Sequence, residues 1–544
     1  MNRQEETGAS FFPERGIYRW LLLIAIFAAA LGVRLYNAGA PPLDFYPVRQ
    51  YRAAMLARAF YYESSPQSVS EKVRKEALAA KPKPLEPPIT ETTASLIYRA
   101  VGGEHLIIPR LMSIMFWMIA ALLLYRLASE MISPDAGIVS TAFFLFLPLG
   151  VVGSRSFQPD PLMIMFFMAT VYSIFRYYRS PSGYGLAAAC LFSALAILVK
   201  PTCIFPILSV FIAMRIPSKN IRNILFGRDL VIFLAASLLP SFIYYGYGIF
   251  IAGYLKSQAD SSFVPALLTK TFYWKGWYYM VSGAIGRYSV FIALLGLLLV
   301  RSGNTRHFLL GLWAGYVLFC LAFPYHIQNH LYYHLILIPI VALSIGIVAS
   351  YLLGAMSSNR GLWRLGVWLL FIVAVSLCIK NSVGLLSDSG FEAQVRSYKE
   401  IGEKVGHSTK TVLFDYHDGD RVMYYGRIYG VLWPTVHQIG DPTVRLKQSD
   451  MKVLLDEIIS EYSPEYFIVT NVPLFEGQED LKKTLDSEYP VLAESITPGR
   501  EHAPLDCEDV RYVIPRVPGG ESPDYIIYDL REPKKNTDAP REPE

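Results

Sequence analysis

The stretch IYRWLLLIAIFAAALGVRLYNA, residues 17–38, is long and apolar enough to cross a membrane as one helix. A hydrocarbon core about 30 Å thick requires about 20 predominantly apolar residues in an α-helix. The run exceeds the apolar part of a signal peptide and lacks a small-residue cleavage site after it, so we interpret it as an anchor that stays in the protein.

Similar apolar runs follow along the chain, which makes the first one part of a pattern. They lie at about 106–126, 136–154, 162–178, 184–199, 201–215, 229–252, 285–301, 306–324, 331–353 and 364–381. The sequence therefore predicts a polytopic α-helical membrane protein with about eleven transmembrane helices.

The composition agrees with a membrane protein and excludes other classes. Of the 544 residues, 53% are hydrophobic and 17% are charged, whereas soluble domains carry about 25% charged residues. A purely cytosolic enzyme and a disordered scaffold are excluded. The net charge of +5 and the absence of a long basic run argue against nucleic acid as a partner, and the five cysteines form neither a disulfide framework nor a CxxC metal pair.

Basic residues beside the apolar runs predict the orientation. Arg15 and Arg19 lie at the N-terminal end of the first run, and the loop around 215–228 carries four basic residues. The short loops of the opposite side carry only Arg155 and Lys200. Because cytoplasmic loops are enriched in Lys and Arg, we expect a cytoplasmic N-terminus, an extracytoplasmic tail after about residue 385, and a multi-pass protein of the plasma membrane, the inner membrane in a bacterium.

Three segments outside the membrane are large enough to fold. The first outer loop, 39–105, contains two predicted helices (49–62 and 89–101), and the loop 253–284 ends in FYWKGWYYM, which is typical of a helix in the membrane interface. We divide the chain into a membrane domain at 1–385, a soluble α/β domain at 386–531 and a disordered tail at 532–544.

The α/β prediction for the tail depends on alternating strand-like and helix-like segments. In chain order they are TVLFDY (411–416), a helix near 450–462, YFIVT (466–470), a helix near 478–487, YPVLAE (489–494) and DYIIYDL (524–530). Strands that alternate with helices favour an α/β domain.

Ionisable residues gather at the outer ends of several predicted helices. They are Arg34, Asp44, Arg49, Arg52, Arg110, Arg155, Asp160, Lys200, His326, His330 and His334. A cluster of cations at head-group depth suits a lipid phosphate, because guanidinium groups match phosphate oxygens in a fork. Each residue also has a structural interpretation: the cations can snorkel to head groups, the two aspartates can cap turns or helices, and the histidines can be packing residues.

Five short motifs resemble the dolichyl-phosphate-mannose protein mannosyltransferase family of the glycosyltransferase C class, which includes the bacterial lipid A aminoarabinose transferases. The motifs are PPLDFYPVRQYRAAMLAR (41–58), EPP (86–88) with GGEHLIIPRLMS (102–113), RSFQPDPLMIMF (155–166), LAILVKP (195–201) and HLYYHLILIPIVAL (330–343). The resemblance covers about 17–350, and the tail carries no assignable motif.

The resemblance implies transfer of a sugar from a polyprenyl-phosphate donor to an extracytoplasmic acceptor (a lipid, glycan or protein), with inversion. It places Asp44 at the catalytic base, Asp160 at the acid of the second loop, and Arg49 or Arg52 at the donor phosphate. Lys200 and Arg110 are further candidates for phosphate binding.

The same resemblance places His330, Tyr332 and Tyr333 on a substrate-binding aromatic motif. Two positions depart from the family. Phe45 replaces the second acid of the pair that begins at Asp44, and Glu86 replaces the basic residue or histidine that often precedes the paired prolines.

No cofactor is evident in the sequence, and no Gly-rich nucleotide loop occurs, which fits a lipid-linked donor. We assign no metal ligands, and the involvement of a divalent metal stays open. Expected partners are the polyprenyl-phosphate sugar, membrane lipid and the acceptor. Two other functions stay open: a non-catalytic flippase or carrier of lipid-linked sugars, and an envelope-assembly protein whose tail binds partners.

Overall fold

The fold is known from a computed structural model. It describes residues 10–13, 16–64, 70–218, 220–300, 303–356, 361–387, 391–415, 419–434, 451–496 and 524–534. Most of these residues are helical, and a small sheet lies in the C-terminal part.

The helices up to residue 386 belong to the membrane part and to the loops that connect its helices. They are α1 (Ile17–Leu35), α2 (Pro47–Glu63), α3 (Glu71–Ala79), α4 (Ile89–Val101), α5 (Ile107–Met131), α6 (Pro134–Phe146), α7 (Pro148–Gly153), α8 (Asp160–Arg179), α9 (Gly183–Val199), α10 (Ile204–Ala213), α11 (Ile221–Phe226), α12 (Arg228–Gly246), α13 (Lys256–Ser262), α14 (Thr271–Ile285), α15 (Arg287–Leu299), α16 (Gly303–Ala322), α17 (Pro324–Asn329), α18 (Leu337–Met356) and α19 (Leu362–Leu386). Short 3-10 or π turns occupy Pro201–Cys203, Ile216–Ser218, Tyr247–Ile251, Pro265–Thr269 and Leu331–Ile336.

In the described part of the chain, six helical segments are long and apolar enough to span a membrane, and they contain α1, α5, α12, α16, α18 and α19. A seventh span results if α14 and α15 count as one, although they meet at 91°. Shorter apolar helices occupy Pro134–Phe146, Gly183–Val199 and Pro201–Ala213. The chain is a multi-pass membrane protein, while eleven spans and the orientation stay predictions.

A proline explains why one predicted apolar run is not a single helix, and a glycine forms a sharp corner between two other helices. The run 136–154 is interrupted at Leu147, whose ψ of 124° is non-helical, and α7 restarts at Pro148. Proline disfavours helical geometry at the preceding residue but is well placed in the first turn. Gly286 forms the corner between α14 and α15. Its φ of +86° is a backbone conformation that residues with a side chain rarely adopt.

The first outer loop contains one helix that the sequence analysis missed. The predicted helices 49–62 and 89–101 correspond to α2 and α4, but α3 lies between them. Helix α3 has only nine residues and is mostly polar. Its clearest signal is Ser70, whose hydroxyl accepts a hydrogen bond from the Val73 N–H as an N-cap.

The C-terminal part is the α/β unit that the sequence predicts. Its strands are β1 (Thr411–Phe414), β2 (Gly430–Leu432), β3 (Tyr466–Val469), β4 (Val491–Ser495) and β5 (Tyr525–Asp529), in the order β2-β1-β3-β5-β4. Strands β2, β1 and β3 are parallel, whereas β5 is antiparallel to both β3 and β4. The helices of this unit are Phe391–Lys404, Asp420–Gly426, Met451–Tyr462, Val472–Glu476 and Glu479–Glu488.

The tail contains elements that the sequence analysis did not predict, and parts of it lie outside the described residues. The sequence analysis missed the short strand β2 and three helices, Phe391–Lys404, Asp420–Gly426 and Val472–Glu476. Residues 416–418, which follow β1, lie outside the described residues, and Asp415 before them accepts a hydrogen bond from the Gly419 N–H after them. Most of the segment predicted to be disordered, from 535 onward, also lies outside the described residues.

The tail unit packs on the first outer loop through a shared apolar cluster. Tyr51 and Ala54 of α2 are buried in this cluster with Tyr398 and Met423 of the tail. The first outer loop and the tail unit therefore share one buried core.

Candidate functional site

Asp44 lies in a loop that two buried arginines hold against one end of the bundle. After α1 the chain turns at Pro41-Pro42. Arg110 donates to the carbonyl oxygens of Ala38 and Ala40 at 2.9 and 3.0 Å. Arg155 donates to two further carbonyls of this loop, those of residues 36 and 37. The arginines therefore supply donors to backbone carbonyls of this loop, one of which, that of residue 37, also accepts from the Ala40 N–H.

The same two arginines form ion pairs with Asp44. Its carboxylate lies 3.4 Å from Arg110 and 3.9 Å from Arg155, and 12% of its side chain is exposed. Burial, together with the neighbouring Arg110, lowers the pKa of Arg155 to about 10. Arg34 lies near Arg155, and its guanidinium donates to the Ser154 hydroxyl at 2.8 Å.

Asp160 and Lys200 form the most buried ion pair of the site. The Lys200 ammonium donates to Asp160 Oδ1 at 2.6 Å, and the side chains are 4% and 1% exposed. Asp160 begins α8 between two prolines, which fixes its carboxylate at the helix start. Lys200 ends α9, and its ammonium lies 4.7 and 4.6 Å from the ring centres of Tyr332 and Tyr333.

Arg49 and Arg52 lie in the first turns of α2 and line a cleft that opens to solvent. Arg49 forms an ion pair with Glu86 at 2.5 Å. Burial would lower the pKa of Arg49, but the charge of Glu86 raises it above the ordinary value. Arg52 donates to the Lys83 carbonyl at 3.0 Å.

Glu91 lines the same cleft as Arg49 and Glu86. Its carboxylate accepts a hydrogen bond from Thr90 at 2.9 Å. Burial, reinforced by the nearby charge of Glu86, raises the pKa of Glu91 to about 7. The cleft therefore contains a carboxyl group that titrates near neutral pH.

Tyr46 connects the Asp44 loop to the aromatic motif. Its hydroxyl accepts a hydrogen bond from the Leu331 N–H at 2.8 Å, and its ring stacks on His330 and contacts Tyr332. Tyr46 has φ of +45°, a conformation uncommon for residues other than glycine, just before Pro47. This contact brings the first outer loop against the segment that carries His330, Tyr332 and Tyr333.

His326 has one ring nitrogen with a partner and one without. The Ser262 hydroxyl donates to the Gln258 carbonyl at 2.6 Å, so its oxygen accepts from Nε2–H of His326 at 3.0 Å. This assignment leaves Nδ1 of His326 as a buried acceptor without a partner among the described residues, and Nδ1 of His330 is also buried without one. Burial lowers the pKa of both imidazoles to about 4.

The structure therefore brings the predicted residues together in three adjoining groups. Asp44 pairs with Arg110, Asp160 pairs with Lys200, and Arg49 and Arg52 line the cleft. The Lys200 ammonium lies over the rings of Tyr332 and Tyr333, and Tyr46 contacts Tyr332, so the aromatic motif adjoins both the Asp160–Lys200 pair and the Asp44 loop.

Three residues of this arrangement were absent from the predicted site. Glu86 was noted as a departure from the family, but its position three residues before α4 gave no sign of its pairing with Arg49. Tyr46 and Glu91 carry no sequence signal of their own. Their roles depend on contacts between segments that are far apart in the chain.

Among the residues that the structure describes, no three His, Cys, Asp or Glu side chains converge as metal ligands. Asp160 Oδ2 is buried without a hydrogen-bond partner in the same part of the chain. That oxygen is available to a donor group of a bound molecule.

Comparison with known proteins agrees with the resemblance seen in the sequence. Residues 85–245 match the model of the family described as dolichyl-phosphate-mannose-protein mannosyltransferase. The matched range contains Glu86, Arg110, Asp160 and Lys200, while Asp44 precedes it. No curated protein sequence matches the chain.

Solved structures show the same fold. ArnT from Cupriavidus metallidurans in the apo state is 13% identical, with a TM-score of 0.57 over 87% of this chain and 96% of that one. The same protein bound to undecaprenyl phosphate is 12% identical, with a TM-score of 0.56 over the same shares. The archaeal oligosaccharyltransferase AglB from Archaeoglobus fulgidus, in complex with an inhibitory peptide and a dolichol-phosphate, is 10% identical, with a TM-score of 0.50 over 90% of this chain and 75% of that one.

Proposed function

We propose that this protein is a glycosyltransferase that transfers a sugar from a polyprenyl-phosphate donor to an acceptor outside the cytoplasmic membrane. The observation that carries the proposal is the cluster of cations around two aspartates at one end of the bundle. Arg34, Arg110, Arg155 and Lys200 are all buried there. The family match and the fold of ArnT, one of whose structures contains undecaprenyl phosphate, support the same substrate class.

The excess of positive charge suits a phosphate leaving group. Among the described residues, these four buried cations adjoin two carboxylates, those of Asp44 and Asp160. Buried charges require compensation, and a lipid phosphate would supply negative charge at this place. The charge on the phosphate increases as its bond to the sugar breaks, so preorganised cations stabilise the transition state more than the bound donor.

In the proposed reaction, Asp44 accepts the proton of the acceptor hydroxyl. The hydroxyl oxygen attacks the anomeric carbon from the face opposite the phosphate, so that the new glycosidic bond forms as the bond to the phosphate oxygen breaks. The configuration inverts, and polyprenyl phosphate leaves. The exposed fraction of the Asp44 side chain leaves room for an acceptor to approach.

The other predicted residues hold the reactants. Arg49 and Arg52 contact the donor phosphate from the cleft, and Lys200 and Arg110 contribute positive charge from within the bundle. Asp160 orients the acceptor or supports the base, and its Oδ2 is a buried acceptor without a partner among the described residues. His330, Tyr332 and Tyr333 form the wall against which the sugar or the lipid phosphate packs.

The proposed site faces the extracytoplasmic side of a plasma membrane, the inner membrane in a bacterium. The bias of Lys and Arg in the sequence supports a cytoplasmic N-terminus and an extracytoplasmic tail. A reporter fused after residue 385 that is active only in the cytoplasm would contradict this orientation.

The test is the release of polyprenyl phosphate from a donor labelled in its sugar. Purified protein, donor and an envelope extract as acceptor source should yield free polyprenyl phosphate and labelled acceptor. Protein that moves labelled donor between leaflets without releasing polyprenyl phosphate would instead be a flippase or carrier.

The sugar and the acceptor can be identified in cells. Mass spectrometry of envelope lipids, glycans and proteins from a deletion strain should show the loss of one sugar modification. An unchanged envelope with impaired assembly would favour the envelope-assembly function.

A further inference from the structure

We infer that the C-terminal α/β unit positions the outer-loop helix that carries Arg49, through a buried contact of Arg58, Glu104 and Tyr424. The inference rests on the proposed function, because it assigns Arg49 to the donor phosphate. Arg58, Glu104 and Tyr424 are positioning residues, since none of them contacts the residues of the proposed reaction site.

Two arginine–glutamate pairs join α2 to α4. At one end Arg49 pairs with Glu86, three residues before α4, at 2.5 Å. At the other end Arg58 pairs with Glu104, three residues after α4, at 3.0 Å. The two helices therefore run in the same direction, with an ion pair near each end.

The tail unit completes only the second pair. Arg58 donates to the Tyr424 carbonyl at 2.7 Å, and its guanidinium lies 3.8 Å from the centre of the Tyr424 ring. The Tyr424 hydroxyl donates to Glu104. Nearby, the hydroxyl groups of Tyr51 and Tyr425 are 2.9 Å apart.

Differences in exposure indicate which pair is structural. The side chains of Arg58 and Glu104 are 8% and 11% exposed, whereas those of Arg49 and Glu86 are 18% and 21% exposed. A buried ion pair fixes geometry, because separating its two members would leave each with an uncompensated charge. The pair at Arg49 stays open to the cleft and can exchange Glu86 for a phosphate.

Helix α2 is rigid, so a shift at one of its ends moves the other end as well. Arg49 and Arg58 are nine residues apart in a continuous α-helix, which corresponds to about 13 Å along its axis. A helix does not bend sharply without proline, glycine or a bulge, and the residues from 48 to 63 contain no proline or glycine. A tail unit that shifts at Tyr424 would therefore displace the guanidinium of Arg49.

Three variants of the full-length protein test this role. Tyr424→Ala removes the ring and the hydroxyl, while Tyr424→Phe keeps the ring over Arg58. Tyr528→Phe is the matched control: it removes another buried tyrosine hydroxyl of the tail, which donates to Asp486 at 2.7 Å. We expect Tyr424→Ala to lower kcat about ten- to a hundred-fold with little change in donor KM, since a misplacement of about 1 Å can reduce the rate on the order of a hundred-fold. Tyr424→Phe should recover part of the loss, and Tyr528→Phe should match the unchanged protein.

A double variant tests whether Tyr424 affects turnover through Arg49. If Tyr424 acts through Arg49, Arg49→Gln with Tyr424→Ala should be no slower than Arg49→Gln alone, because coupled residues are not additive. Additive losses, or equal kcat for Tyr424→Ala and Tyr528→Phe, would overturn the inference while leaving the proposed function intact.

Hydrogen exchange provides a readout that does not depend on activity. Amides of the first turn of α2 should exchange faster in Tyr424→Ala than in Tyr528→Phe, even if the protein proves to transfer no sugar. Equal exchange rates in the two variants would also overturn the inference. The kinetic measurements and the hydrogen-exchange measurement together therefore separate a failure of positioning from a failure of the proposed function.

Discussion

Lys200 donates a 2.6 Å hydrogen bond to Asp160, and both side chains are almost completely buried. The two residues are 40 positions apart, at the end of α9 and the start of α8. The pair thus fixes how these neighbouring helices meet at the outer end of the bundle.

Removing one member of this pair should destabilise the protein more than removing both. Asp160→Asn or Lys200→Gln alone leaves a buried charge without its partner, which costs roughly 3–5 kcal/mol. The double variant removes both charges, so its thermal midpoint in detergent should lie above that of either single variant. A double variant less stable than both singles would show that the pair itself stabilises the fold.

Asp44→Asn should abolish most of the turnover. Asparagine keeps the shape and can still accept from Arg110, but it cannot take the acceptor proton, so the loss should be on the order of a hundred-fold or more. Turnover per folded molecule is the quantity to measure, with Asp160→Asn beside it. Near-normal specific activity with lower stability would make Asp44 structural, and inactivity of the Asp160 variant alone would move the base to the second loop.

Arg49→Gln should depress turnover more than donor affinity. A fixed charge beside a phosphate of increasing negative charge contributes most in the transition state. Arg52→Gln should have a smaller effect, because Arg52 bonds to a backbone carbonyl at the exposed edge of the cleft. Normal turnover in both variants would place the phosphate beside Lys200 and Arg110.

Glu91→Gln should change the pH dependence of stability. Burial, with the charge of Glu86, raises the pKa of Glu91 from 4.5 to about 7 in the folded protein. The folded state therefore binds more protons than the unfolded chain between these pH values. The contribution of Glu91 to the stability of the folded protein is complete below pH 4.5 and is lost as the pH rises through about 7. Thermal midpoints from pH 4.5 to 8 should decline less in Glu91→Gln than in the unchanged protein.

His326 and His330 should make the protein less stable at acidic pH, which is the opposite of the pH dependence expected for Glu91. Burial lowers the pKa of His326 and His330 from 6.5 to about 4. Their contribution to stability is present above pH 6.5 and is lost as the pH falls through about 4. His330→Gln should reduce the loss of thermal stability on acidification, and an unchanged acid slope would contradict the prediction.

The sequence by itself determined the fold class and most of the elements. Membrane helices appear in a sequence because the bilayer core imposes a length and a hydrophobicity on each of them. The strands of the tail appear because β-branched and aromatic residues form short runs, as in YFIVT (466–470). The short helix α3 and the strand β2 were missed, since their order comes from packing more than from their own composition.

The sequence also selected the residues of the candidate site, but not their partners. Asp44, Asp160, Arg49 and Lys200 stand out because charges are rare beside apolar runs. Their functional roles stay predictions.

Only the tertiary structure decided how these charges combine. A sequence gives the position of each charge along the chain, but the strength of an interaction depends on distance and burial. Both are set when segments far apart in the chain pack together. Lys200 therefore neutralises Asp160, Glu86 pairs with Arg49, and Tyr424 of the tail reaches the outer loop, because the fold brings them within hydrogen-bonding distance and removes the water between them.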